Sequence, residues 1–172
     1  MTAGTCVLVV DTNTVVRAVA DWSSAAGRVL KAAENHRVRL LLSRPVMAEY
    51  RRVLSHVELQ RKFSGITPVT INATLKAMKY RAGSFEKGNV RFLLSRDPDD
   101  AKFLEPAIAG EATHLLTYDK DLLSLREWHD DAARRFRQRA PQTRIMTSEQ
   151  FLAERRALPG SWQVWSRLEG ER

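Results

Sequence analysis

Two acids in this 172-residue chain follow short apolar runs. Asp11 ends Cys6-Val7-Leu8-Val9-Val10, and Asp119 comes just after the run from Thr113 to Thr117. A short, valine-rich run fits a strand buried on both faces, and the residue that ends it lies at the edge where open α/β sheets bind ligands. Two further acids, Glu49 and Asp100, fall near the starts of apolar-periodic helices that follow strands or strand-like runs. Strand ends and the next helix starts share one rim of a parallel sheet, so the spacing predicts that four carboxylates converge there. Like charges in a half-buried site repel, and either some of them hold protons or a cation resides among them. Carboxylate oxygens without thiolates or clustered imidazoles favour Mg²⁺ or Mn²⁺ over zinc, and His36, His56, His114 and His129 are scattered. Each acid also has an ordinary use. Glu49 shares a helical face with Val46, Tyr50 and Val53, where a salt bridge to Arg51, Arg52 or another cation would satisfy it. The acids of Asp97-Pro98-Asp99-Asp100 suit a helix start, where carboxylates cap and meet the positive end of the dipole.

The elements that must position these acids read as alternating strand and helix. After the strand from Cys6, Thr12 or Asn13 is expected to cap a helix reaching Ala20, and Ser23-Ser24 precede a second helix from Ala25 to His36. Val38 to Leu42 is the next strand, and Ser43-Arg44-Pro45 opens the helix carrying Glu49. His56 to Arg81 is helical, with breaks at Gly65 and Thr67-Pro68. Ser84 to Gly88 reads as loop, and Val90 to Leu94 as either a strand or a helix end. Ala101 to Gly110 is helical despite Pro106, which is expected to kink it. Asp100 shares a face with Phe103, Leu104, Ala107 and Ile108, so it points inward. Leu122 to Leu125 begins another helix, and the arginine-rich stretch 126–142 reads as a solvated helix. Arg144 to Thr147 is a last strand, and Ser148 caps a helix over Glu149 to Arg156. This alternation argues for βαβ units on a parallel sheet.

Lys and Arg outnumber Asp and Glu by 28 to 20, and a net charge of +8 favours a polyanionic partner. Cys6 is the only cysteine, which excludes an intramolecular disulfide and a cysteine metal cage. The apolar run at the N-terminus is too short for a signal core or a membrane span, so a cytoplasmic protein without membrane contact is expected. One domain over residues 1–156 is expected, with residues 157–172 as a tail packing on the body or on a partner through Trp162 and Trp165.

Four blocks, in order and at matching spacing, resemble the PIN-domain ribonucleases, in particular the VapC-like toxins of type II toxin-antitoxin pairs. They are Val9-Val10-Asp11-Thr12-Asn13, Leu42-Ser43 through Glu49-Tyr50 to Val53-Leu54, Arg96-Asp97-Pro98-Asp99-Asp100-Ala101-Lys102-Phe103-Leu104, and Leu116-Thr117-Tyr118-Asp119-Lys120-Asp121-Leu122. The resemblance implies a three-layer α/β/α sandwich on a parallel sheet of four or five strands, cutting single-stranded RNA at a divalent-metal site. It implies Asp11, Glu49, Asp100 and Asp119 as the acidic quartet and Asn13 and Thr117 as polar supports, with Asp97, Asp99 and Asp121 as neighbouring acids. It further implies an antitoxin protein as partner, a homodimer, and products ending in 5′-phosphate and 3′-hydroxyl. The chain departs from the family pattern in the length of segment 126–142, in the tail beyond Arg156 and at Pro106. These departures leave the acids intact and bear on substrate choice and oligomer geometry.

On this reading Asp11 and Asp119 ligate Mg²⁺ or Mn²⁺ directly, Asp100 completes a second position, and Glu49 ligates through water or orients the nucleophile. Arg44, Arg51 and Arg96 are expected to hold the phosphates of the RNA, against the plainer reading of a solvated surface. Two rivals remain. A phosphatase with an aspartate nucleophile commonly needs a second acid two residues later, where this chain has Asn13. A non-catalytic scaffold binding nucleic acid or a partner has no reason to bury acids beside its polyanion.

Overall fold

The computed structural model describes residues 6–35, 38–84, 90–94, 98–127 and 129–157. The first strand, β1 (Cys6–Val10), is the middle of five parallel strands. On one side lies β2 (Val38–Leu42) and beyond it the two-residue β3 (Gly83–Ser84); on the other lie β4 (His114–Leu116) and the edge strand β5 (Arg144–Met146). Leu8, Val9 and Val10 are fully enclosed, as a strand covered on both faces requires.

Helices α1 (Thr12–Ala20) and α2 (Ala25–Glu34) connect β1 to β2. Helices α3 (Arg44–Leu54), α4 (Val57–Lys62) and α5 (Pro68–Arg81) lead on to β3. A 3-10 turn at Pro98–Asp100 and α6 (Ala101–Ala109) carry the chain back to β4, and α7 (Lys120–Ser124) and α8 (Asp131–Arg139) join β4 to β5. The last helix is α9 (Ser148–Ala157). Helices α1, α2, α3 and α5 pack on one another with α9 against α2, while α6 packs on α8. Successive strands step outward from β1 to β3, then jump across to β4, and right-handed crossovers put the two groups of helices on opposite faces. The result is a three-layer α/β/α sandwich, as expected. The direction reverses between β1 and β4, which makes the ends of these two strands the topological switch point.

Local chemistry sets most boundaries as the sequence predicts. Ser24 caps α2, Ser43 caps α3 ahead of Pro45, and a reciprocal Thr67–Thr70 capping box starts α5. Several expectations need correction. The cap of α1 is Asp11, not Thr12 or Asn13: its carboxylate accepts from the Thr14 amide. Thr147, not Ser148, caps α9, its hydroxyl accepting from Gln150 N at 3.3 Å while the Gln150 side chain takes the Thr147 amide at 3.0 Å. Residues 90–94 are neither strand nor helix; Phe92 and Leu94 are buried and the Phe92 amide donates to Glu105. As expected, helix α6 runs through Pro106, to Ala109. The expected solvated helix within 126–142 is amphipathic, burying Ala132, Ala133 and Phe136. Tail residues 158–172, with Trp162 and Trp165, lie outside the described residues.

Candidate active site

Asp11 leaves β1 at the switch point and is 3% exposed. Its amide donates to the Leu116 carbonyl of β4 at 2.9 Å, which ties it to the neighbouring strand. One carboxylate oxygen, Oδ1, accepts from Thr14 N at 2.7 Å, and the other accepts from the hydroxyl of buried Thr117. That hydroxyl also accepts from the Asp119 amide at 2.9 Å, so its single proton is committed to Asp11. Thr117 thus joins the two strand-end acids. Asp119 is half-buried and caps α7, Oδ1 accepting from Asp121 N at 2.7 Å and Leu122 N at 3.3 Å.

Burial pushes the Asp11 carboxyl above its usual range, the hydrogen bonds from Thr117 and Thr14 pull it back in part, and the negative charge of Asp119 adds to the rise. Tyr50 is fully enclosed beneath it and donates its hydroxyl to the Val10 carbonyl. Burial, with the charge of Asp11 added, holds the phenol well above its ordinary value, so it stays a neutral donor. Next to Asp11, the hydroxyl of Thr12 is buried and has no hydrogen-bond partner among the described residues.

Glu49 reaches the rim from α3, but its carboxylate is clasped by cations. Arg52 Nη2 lies 2.8 Å from Oε2 and Lys102 Nζ lies 3.4 Å from the same oxygen, with 16% of the Glu49 side chain exposed. The salt bridge foreseen for Glu49 therefore exists, through Arg52 and through Lys102 of α6. Asp100 is half-buried at the end of the 3-10 turn, and its side chain does not cap α6. The structure thus joins Asp11 to Asp119 through Thr117, and Glu49 to α6 just past Asp100. Among the described residues, no three acidic, histidine or cysteine side chains are gathered closely enough to hold a metal ion as they stand.

Asn13 is exposed on the first turn of α1, and the group that holds Asp11 Oδ1 is the Thr14 amide. Asp121 and Asp99 are exposed. Arg44 is exposed at the start of α3, whereas Arg51 donates to Asn72 of α5 at 3.0 Å. Asp97 and Arg96 lie outside the described residues. Sequence reasoning missed four participants. Thr14 and Tyr50 were visible as a helix first-turn residue and a core residue, but their bonds to the rim need the folded chain. Arg17 stacks on Tyr118, 4.1 Å from the ring centroid, and Tyr118 donates to Glu149 at 2.9 Å, which sets a cation and an aromatic face beside Asp119. Lys102 was quoted within a motif but given no role.

Carboxylate oxygens are the donor type that a hard divalent cation takes, and the two strand-end acids meet at Thr117, whose hydroxyl donates to the Asp11 carboxylate and accepts from the Asp119 amide. Among the described residues no ion pair reaches Asp11 or Asp119, whereas Glu49 has two.

A family model described as the PIN domain matches residues 7–121, more than half of the chain and the whole span from β1 to the start of α7. No curated protein and no solved structure matches the chain.

Proposed function

The chain belongs to the PIN-domain family, and from that premise we propose that it is a metal-dependent endoribonuclease that hydrolyses phosphodiester bonds of single-stranded RNA. PIN domains are in general nucleases, and typically use divalent metals. The observation that carries the reading is the buried Asp11 carboxylate, joined by the Thr117 hydroxyl to the Asp119 amide at the switch point, with no ion pair to either acid among the described residues. Asp11 and Asp119 would hold Mg²⁺ or Mn²⁺, with Asp100 and, through water, Glu49 as further ligands. A cation bound there supplies charge that lowers the pKa of water and offsets the charge developing on the scissile phosphate. Thr117 fixes the Asp11 carboxylate in one rotamer, and the Thr14 amide fixes its other oxygen. Tyr50 pins the end of β1 from below, so the carboxylate is positioned before any ligand arrives. Asp97 and Asp121 are assigned as neighbouring supports, and Arg44, Arg51 and Arg96 as RNA-binding side chains.

The biological role within this reading is the toxin of a toxin-antitoxin pair, with an antitoxin protein as inhibitor and a homodimer as the working unit. The ordered motif blocks support it. The decisive test incubates purified protein with total cellular RNA and Mg²⁺ or Mn²⁺, wild type beside Asp11→Asn, and maps the cut ends. Cleavage by the wild type and at least a thousandfold loss in the variant is expected, on the scale of removing a group essential to the charged transition state. Equal cleavage by both would assign the activity to a contaminant. One observation favours a second reading. The clasp of Glu49 by Arg52 and Lys102 leaves that acid committed to the fold, which suits a non-catalytic RNA-binding module. RNA binding in EDTA that metal leaves unchanged, with no cleavage, would select it.

A further inference from the structure

Arg17 holds none of the roles assigned above, yet it stands at the edge of the site. Helix α1 leaves the rim at its Asp11 cap, and Arg17 lies about 9 Å further along the axis at 1.5 Å of rise per residue. Side chains on a helix lean toward its N-terminus, so a long one at this position reaches back toward the rim. The Arg17 guanidinium lies 4.1 Å over the ring centroid of Tyr118. Tyr118 stands between Thr117 and Asp119, at the end of β4 where the two strand-end acids meet, and its hydroxyl donates to Glu149 at 2.9 Å. Strand and α9 together therefore fix the ring, and the ring seats the arginine.

The seat leaves the arginine's donors unspent. Its contact is with the face of the ring, and among the described residues its guanidinium makes no hydrogen bond and no ion pair, so its five N–H donors are open to a ligand. Glu149, the acid on the same ring, takes the Tyr118 hydroxyl rather than the arginine. Other cations of the rim helices are engaged: Arg52 and Lys102 close on Glu49, and Arg51 donates to Asn72. An RNA strand drawn to a rim of acids is repelled by them, and a cation with donors to spare offsets this where the strand must lie. The planar guanidinium fork matches two phosphate oxygens, and an aromatic seat orients it before the strand arrives. We propose that Arg17, seated on Tyr118, is a phosphate-binding residue that grips single-stranded RNA beside the strand-end acids. The inference rests on the nuclease reading and adds to it a point on the path of the substrate strand, with Tyr118 as the residue that positions the grip.

The test measures binding of a fluorescent single-stranded RNA in EDTA over a series of salt concentrations, together with KM and kcat for cleavage in Mg²⁺. Wild type is compared with Arg17→Gln, Arg17→Lys, Tyr118→Leu and Tyr118→Phe. Arg39→Gln is the control, making the same change in net charge as Arg17→Gln at an exposed position of β2 toward the edge where the strands begin. Arg17→Gln is expected to weaken binding about tenfold and to lower the slope of log K against log salt by about 0.7, the loss of one single-strand phosphate contact. It should raise KM and leave kcat unchanged, as the loss of a grip on the bound strand does. Arg17→Lys should restore the slope but only part of the affinity. Tyr118→Leu should weaken binding by unseating the arginine, Tyr118→Phe should restore it by returning the ring face, and Arg39→Gln should change nothing. Equal losses from Arg17→Gln and Arg39→Gln, no loss from Arg17→Gln, or binding by Tyr118→Phe as weak as by Tyr118→Leu overturns the assignment. Cleavage that still depends on Asp11 then leaves the nuclease reading standing. A wild-type protein that neither binds nor cuts RNA overturns both.

Discussion

Replacing Thr117 with valine keeps the shape of a fully buried side chain and removes one hydroxyl with two bonds: the donor to Asp11 and the acceptor for the Asp119 amide. A bond to a charged acceptor contributes about 1.5–3 kcal/mol and a neutral one about 0.5–1.5 kcal/mol, while the new methyl group returns roughly 0.8 kcal/mol. The net loss of stability is therefore about 1–4 kcal/mol at neutral pH. Its pH dependence follows from Asp11. Burial raises the native carboxyl above its unfolded value, so between the two values the native state binds more protons and stability falls as pH rises. Without the Thr117 hydroxyl the native value rises further and the interval widens upward. The destabilisation is then fully present above the native pKa of Asp11 and shrinks as pH falls through it, where neither protein buries a charge. Urea unfolding in EDTA at a series of pH values from neutral down through the carboxylate range measures this. A loss under about 1 kcal/mol, or one that stays flat with pH, would show that the hydroxyl does not hold an ionised Asp11.

Two further outcomes follow from positions away from the rim. Gly27 lies in the first turn of α2, and a methyl group there would stand 2.6 Å from Trp22 Cα, so Gly27→Ala should lower the melting temperature by several degrees although alanine is the better helix former by about 1 kcal/mol. Burial holds the His114 imidazole below its ordinary value against the pull of Glu154, with Arg144 and Arg155 reinforcing the depression. The unfolded chain therefore takes up its proton first, and stability should decline as pH drops from about 7 to about 5. Melting curves of His114→Gln across that range should lose this slope.

Strands buried on both faces were legible because burial leaves an unbroken apolar run: β2 occupies Val38–Leu42, as its sequence predicts. Helix starts were legible where hydroxyl and proline stood together, as at Ser43-Arg44-Pro45. The α1 cap was misread because Asp11 does two jobs, ending a strand and capping the helix, and pattern reasoning gave the second job to its neighbours. Residues 90–94 were ambiguous for a physical reason: Phe92 and Leu94 alternate with exposed Leu93 as in a strand, but the place beside β2 is taken by Gly83–Ser84. In α8 the arginines obscured a buried face made mostly of alanine, whose apolar signal is weak. The alignment of Asp11 with Thr117 depends on contacts across 106 residues, which no local pattern carries.

The division of labour among the acids follows from α3. Successive helix residues point about 100° apart, so Tyr50 reaches the end of β1 beneath Asp11 while Glu49 turns to Lys102, just past Asp100. One helix thereby ties together the two halves of the rim. A mostly buried glutamate needs such partners, and removing them would leave a charge costing several kcal/mol. Glu49 must release Lys102 or Arg52 before it can face any other cation, whereas Asp11 and Asp119 have no ion pair to give up among the described residues. Under the proposed function, a carboxylate acting through water at a distance therefore suits Glu49 better than one bound directly.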